Sequence, residues 1–193
     1  MSLVKSVCVF CGARTGTKPT WRHAAAELGR GMAERGMGLV YGGGRIGIMG
    51  EVAQACQENG GRVVGIIPDF LEKAEVGNRT CDELIVVGSM HERKSLMTER
   101  SDAFVVMPGG IGSLEEFFEV LTWRTLKLHD KPIVVVDIDG CWTPLADLID
   151  RLIENGFAGE ETRRAVSFVD NLDDLFDLLE RAHSQEAFDA EKT

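Results

Sequence analysis

Short apolar runs rich in valine and isoleucine recur along this chain, each separated from the next by one stretch of helical periodicity. The runs are Val4–Phe10, Gly38–Tyr41, Val63–Ile67, Leu84–Val87, Ala103–Met107 and Pro132–Asp137. Continuous β-branched cores, rather than strict alternation, belong to strands buried on both faces. Strands spaced by single helices pair in parallel, because a parallel partner needs a crossover and a helix supplies it. The spacing therefore predicts an α/β fold: a single-domain, Rossmann-like, doubly wound parallel sheet flanked by helices. The domain is expected over residues 1–183, with 184–193 as a frayed tail. Helices are predicted over about 19–35, 48–58, 90–100, up to 128, 144–154 and 171–182, and a short edge strand over 165–169. Residues 69–82 are polar and receive no assignment. Right-handed crossovers bring every strand C-terminus to one edge, and binding belongs there.

Composition narrows the partners. A chain of 193 residues suits one compact domain, and a formal net charge of −10 argues against a nucleic-acid backbone as partner. No apolar stretch approaches the roughly 18 residues of a membrane span, and the start lacks a signal peptide's pattern. The five cysteines are scattered, and Cys8 and Cys11 have no second Cys or His pair with which to close a zinc site. Reduced cysteines and the absence of a leader point to the cytoplasm.

The junction at 103–116 carries the chemistry. The apolar run Ala103–Met107 empties into Pro108-Gly109-Gly110-Ile111-Gly112-Ser113, and the following helix is expected to carry Glu115 and Glu116 in its first winding. Bare N–H groups at a helix start attract an anion, and glycines let a phosphate come close. A carboxylate just beyond would repel that phosphate. The simplest reason for one is a substrate with a phosphate at one end and an electrophilic carbon further along. Glu116 shares a helical face with Ser113, whereas Glu115 is rotated away by about 100 degrees. Glu115 alone would suit simple complementation of the helix dipole.

Other elements meet the same edge. The loop Cys11-Gly12-Ala13-Arg14-Thr15-Gly16 follows the first strand, and Gly42-Gly43-Gly44 follows the second. The latter imitates a dinucleotide fingerprint, but it follows the wrong strand, and no acidic residue ends the next strand to hold a ribose. Met90-His91-Glu92-Arg93-Lys94 brings the local cations, Arg93 as a planar fork and Lys94 as a point charge. Asp137-x-Asp139-Gly140 hints at a phosphatase nucleophile but reads better as a turn. There is no G-x-S-x-G elbow and no Walker loop.

Taken together, P-G-G-x-G-[TS]-x-x-E at 108–116, M-x-x-R-K at 90–94 and Y-G-G-G-x-x-G-x-M-G at 41–50 resemble the LONELY GUY (LOG) family. These are cytokinin riboside 5′-monophosphate phosphoribohydrolases, long labelled possible lysine decarboxylases. The similarity runs in order from about Val7 through Glu180. It implies hydrolysis of the N-glycosidic bond of an N6-modified AMP, giving free base and ribose 5-phosphate without metal or cofactor. It also implies a catalytic pair, Arg93 and Glu116. Substrate binding would fall to Gly12, Gly109, Gly110, Ile111, Gly112, Ser113 and Glu115, and to Met90, Lys94, Thr122 and Glu75. The family's homodimers carry their sites at the subunit interface, which the resemblance extends to this chain. Two alternatives stay open: a general AMP nucleosidase, and a non-catalytic nucleotide or molybdenum-cofactor carrier. The sequence departs from the family at Ser113, where Thr is usual, at Ala13-Arg14, where Ser-Ser is common, and at Arg45, where a smaller residue stands.

Overall fold

The computed structural model describes residues 4–72 and 77–190. The chain opens with β1 (Ser6–Phe10), α1 (Pro19–Glu34), β2 (Gly38–Tyr41), α2 (Gly47–Glu58) and β3 (Val63–Pro68). It continues through α3 (Asp69–Glu72), β4 (Glu83–Val87), α4 (Met90–Glu99), β5 (Ala103–Val106) and α5 (Ile111–Thr125). The last part comprises β6 (Ile133–Val136), a 3₁₀ turn (Ile138–Gly140), α6 (Thr143–Glu154), α7 (Glu160–Arg164), β7 (Ser167–Val169) and α8 (Leu172–Ala190). Among the described residues seven strands form one sheet in the order β4-β3-β2-β1-β5-β6-β7, every neighbouring pair parallel.

Alternate residues of each strand feed two cores. Val7, Val9, Leu39, Tyr41 and Val105 face α1, α2 and α8. Cys8, Phe10, Val40, Phe104 and Val106 face the other way, onto Met97 of α4, Phe117 and Val120 of α5, and Leu145 and Ile149 of α6. The period of two along a strand thus makes a three-layer molecule from one sheet. Pro19 fixes the first turn of α1, and Gly36, with φ of 69°, turns the chain out of that helix toward β2.

Three elements differ from the sequence reading. The polar segment 69–82 holds the short helix α3, and α7 occupies Glu160–Arg164, where no helix is expected. The last helix, expected to stop near 182, runs on to Ala190. In each case the missing signal is apolar periodicity, because these stretches are mostly polar. Asp139 also has an explanation that owes nothing to phosphatase chemistry: its carboxylate accepts from Thr20 Oγ1. Asp137 accepts from the Trp142 backbone N–H and from Thr143 Oγ1, capping the start of α6.

The strand order reverses between β1 and β5. From β1 the chain moves outward through β2, β3 and β4, then returns to lay β5 on the other side of β1. The two crossovers leave in opposite directions, so a crevice opens above the C-termini of β1 and β5.

Candidate active site

The crevice is closed at its base by a direct tie between its two walls. The Gly12 N–H, just after β1, donates to the Pro108 carbonyl, just after β5, at 3.1 Å. A Cβ at Gly12 would stand 3.3 Å from Gly109 Cα and 2.9 Å from the Arg14 carbonyl oxygen, so only glycine lets the two loops lie this close. Above the tie lies a cavity of about 550 Å³. Residues Gly109 to Ser113 line it on one side, the 11–16 loop and Trp21 on the other, and Arg93 and Glu116 stand within it.

The helix α5 begins at Ile111, with Gly110 as its N-cap and no side chain capping it. Its first N–H groups lack intrahelical acceptors and carry the positive end of the helix dipole. A Cβ at Gly109 would collide with Ser113 Oγ, whereas at Gly110 or Gly112 it would meet nothing within 4 Å. The turn is therefore packed on its inner side and open on its outer side. Because α5 starts at 111, Glu115 and Glu116 fall in its second turn, and the first turn holds no acid. Dipole complementation is weak that far from the end, so it does not account for them.

Glu116 and Ser113 share one face of α5 and are both buried. Burying a carboxylate is expensive without a partner, and Glu116 has one: Arg93 Nη2 lies 3.6 Å from Glu116 Oε1. The side chains of Arg93 and Glu116 are only 6% and 10% exposed. Three further contacts aim the guanidinium. Its Nε donates to the Ile66 carbonyl at 3.2 Å, its Nη2 to the Gly42 carbonyl at 3.4 Å, and its Nη1 meets Met90 Sδ at 3.8 Å. Any Cβ at Gly42 would collide with Nη2, so the second glycine turn exists here to admit an arginine. Buried ion pairs stabilise folds poorly, because desolvation offsets their attraction, and two buried charges facing a cavity are a marker of function. Beneath the pair, burial first and the Glu116 carboxylate second push the Cys8 thiol well above its ordinary range. Burial likewise pushes up Cys141, whose thiol lines the cavity near Gly109. Neither sulfur is a thiolate at neutral pH.

The neighbouring cation goes elsewhere. Lys94, one residue after Arg93, turns away from the cavity and pairs with Glu115 and, at 3.0 Å, with Glu119. Burial pulls its ammonium down, but the two carboxylates outweigh burial and hold it above the usual lysine range. Lys94, Glu115, Met90 and Thr122 are not among the residues lining the chain's own cavity. Thr122 Oγ1 instead donates to the Phe118 carbonyl at 2.6 Å. Glu75 lies outside the described residues. Trp21 and Cys141, by contrast, join the cavity wall without having been singled out for it, and Arg14, marked in the sequence only as a departure from the family, joins them. Trp21 is held by contacts that local spacing does not show. Its ring fills the space where a Cβ of Gly16 would stand, and its Nε1 donates to the Ile138 carbonyl at 3.2 Å.

Fold and site together define a Rossmann-like α/β protein whose switch-point cavity joins a bare helix N-terminus to a buried acid–guanidinium pair. Comparison with known proteins gives the class a family. The family model described as "Possible lysine decarboxylase" matches residues 49–179. The probable cytokinin riboside 5′-monophosphate phosphoribohydrolase LOGL3 of Oryza sativa subsp. japonica is 43% identical over 93% of this chain and 85% of its own length. Cytokinin riboside 5′-monophosphate phosphoribohydrolase LOG7 of Arabidopsis thaliana is 41% identical over 93% and 82%. Among solved structures, the molybdenum cofactor binding protein of Rippkaea orientalis superposes with a TM-score of 0.70 at 21% identity, covering 94% of this chain and 99% of its own. That likeness shows the shared fold. The chain belongs to the LOG family.

Proposed function

We propose that this protein hydrolyses the N-glycosidic bond of an adenosine 5′-monophosphate carrying an N6 substituent, releasing free base and ribose 5-phosphate. The observation that carries this reading is the buried Arg93–Glu116 pair beside the uncapped start of α5. The names of the plant relatives support the same chemistry.

In the proposed reaction the 5′-phosphate sits on the N–H groups of Ile111 to Ser113, which aims the ribose C1′ toward Glu116. Departure of the base builds oxocarbenium character at C1′, and a carboxylate beside it stabilises that charge. Water adds to C1′ as the C1′–N9 bond breaks. One of its protons passes by way of Glu116 and solvent to the leaving base. Arg93, 3.6 Å from the Glu116 carboxylate, positions it and braces the phosphoribosyl group. Nothing in the step calls for a metal or a redox cofactor.

A homodimer with shared sites accounts for Met90, Lys94, Glu115 and Thr122 lying off the chain's own cavity wall. In that arrangement they meet the nucleotide where a second copy closes the groove. The cytoplasm suits cysteines that no disulfide joins among the described residues, and among those residues no helix is long and apolar enough to cross a membrane.

The test is direct. The purified protein, incubated with N6-isopentenyl-AMP and with AMP, is expected to release free base and ribose 5-phosphate, faster from the substituted nucleotide. Equal kcat/KM for the two would favour a general AMP nucleosidase, and tight binding without release would favour a carrier. Arg93→Ala is expected to lose at least about a hundredfold in kcat/KM, roughly 2.7 kcal/mol.

A further inference from the structure

The phosphate end of the cavity is short of positive charge. Two cationic residues line it, Arg14 and Arg93, and the charge of Arg93 is matched by Glu116. Of the other cations near this edge, Lys18 pairs with Asp139, Arg22 with Glu51, and Lys94 with Glu115 and Glu119, while Arg45 lines a separate cavity beside α2. Arg14 is exposed, and its side chain makes no hydrogen bond or ion pair with any described residue. Its backbone, however, is held closely. The Gly12 tie to Pro108 sets the loop against the 108–110 turn, and the Gly12 carbonyl accepts from the Met49 N–H of α2 at 3.2 Å. On the opposite side, a Cβ at Gly47 would collide with the backbone of Ala13 and Arg14, so the loop also rests directly on the start of α2. An uncommitted guanidinium thus stands on a fixed stem beside a bare helix N-terminus. A phosphate monoester is dianionic at neutral pH, and helix N–H groups offer only partial charges.

We propose that Arg14 is the phosphate-reading residue of this cavity, closing over the 5′-phosphate from the β1 side while the start of α5 holds it from the β5 side. The guanidinium supplies a planar fork to two phosphate oxygens. Arg14 is a binding residue and takes no part at C1′, so its contribution appears in affinity. This inference rests on the functional reading above for the identity of the substrate, but the anion site itself does not require turnover.

The experiment measures ribose 5-phosphate binding by calorimetry, and nucleotide hydrolysis separately. The proteins compared are wild type, Arg14→Ala, Arg14→Lys and Arg62→Ala, the last removing an equal charge at the far end of the sheet. Arg14→Ala is expected to weaken ribose 5-phosphate at least tenfold and to flatten its dependence on salt. Arg14→Lys should recover part of the loss, and Arg62→Ala should match wild type. In hydrolysis, Arg14→Ala should raise KM by a similar factor and change kcat less than threefold. Ribose 5-phosphate binding that stays within twofold in Arg14→Ala overturns the proposal, as does an equal loss in Arg62→Ala. A wild type that binds ribose 5-phosphate through Arg14 yet frees no base would remove the hydrolase reading and leave this one standing. A wild type with no measurable ribose 5-phosphate binding sinks both.

Discussion

A methyl group added at Gly42 would strike the Arg93 guanidinium, whereas the same group added at Gly110 or Gly112 would meet only open space. Both turns follow a strand on the same edge of the sheet, and both read as glycine runs. In the first, protein fills the room left by the missing side chain: Arg93 beside Gly42, and Ile67 and Leu84 beside Gly43. In the second, the outer glycines keep an approach clear to the N–H groups of α5. One set of glycines serves packing and the other leaves access, and only their surroundings tell them apart.

That contrast can be broken at several points. The largest effect is expected at Glu116, which stands between the two turns. Glu116→Gln keeps the shape and removes the charge, so turnover should fall about a thousandfold. Nucleotide affinity should stay within about tenfold, or 1.4 kcal/mol. Near-native turnover in this variant would end the role given to Glu116. Next comes Gly42→Ala, which drives the guanidinium off its two carbonyls. A displacement of this kind should cost about a hundredfold in kcat/KM, seen in steady-state kinetics alongside a modest fall in melting temperature. Gly110→Ala sharpens the comparison from the open side. Denaturant unfolding should move by no more than about 0.5 kcal/mol, while ribose 5-phosphate binds about tenfold more weakly because the new methyl blocks its approach. If Gly110→Ala instead unfolds the protein and Gly42→Ala is harmless, the division between packed and open turns is wrong.

The smallest effect concerns Lys94, outside both turns. Its pairs with Glu115 and Glu119 should contribute no more than about 1 kcal/mol. Its folded pKa is raised, so this stability is fully present below the unfolded lysine value of about 10.4 and is lost as pH climbs through the folded value. Thermal melts of wild type and Lys94→Met should therefore differ by a constant amount from pH 7 to 9 and converge above pH 10.5 or so.

The strands were legible because burial on both faces demands continuous apolar residues, and the runs at 63–67, 103–107 and 132–137 carry them openly. α7 was not, since Glu160-Glu161-Thr162-Arg163-Arg164 has no apolar stripe to announce a helix. In the site, helical counting from Ser113 separated Glu116 from Glu115. The fate of Arg93 and Lys94 lay beyond such counting. They are adjacent and alike in charge, and what turns one inward is a pair of carbonyls at Gly42 and Ile66, far away in sequence. Trp21 was hidden for a similar reason, its acceptor being the Ile138 carbonyl after β6. Local spacing tells which residues share a face. It is silent on which distant backbone atom will receive them.

The strand order also bears on how the molecule is made. Synthesis delivers β1 first, yet β1 ends at the middle of the sheet, and its second neighbour arrives only when Ala103 pairs with Val7. Until then a nascent chain on the ribosome holds β1 through β4 with one flank of its central strand bare, an edge open to unwanted pairing. The two walls of the groove meet in the same event that covers that flank. A chain halted before Ala103 consequently has most of its glycines, both of its candidate arginines and no place to put a substrate.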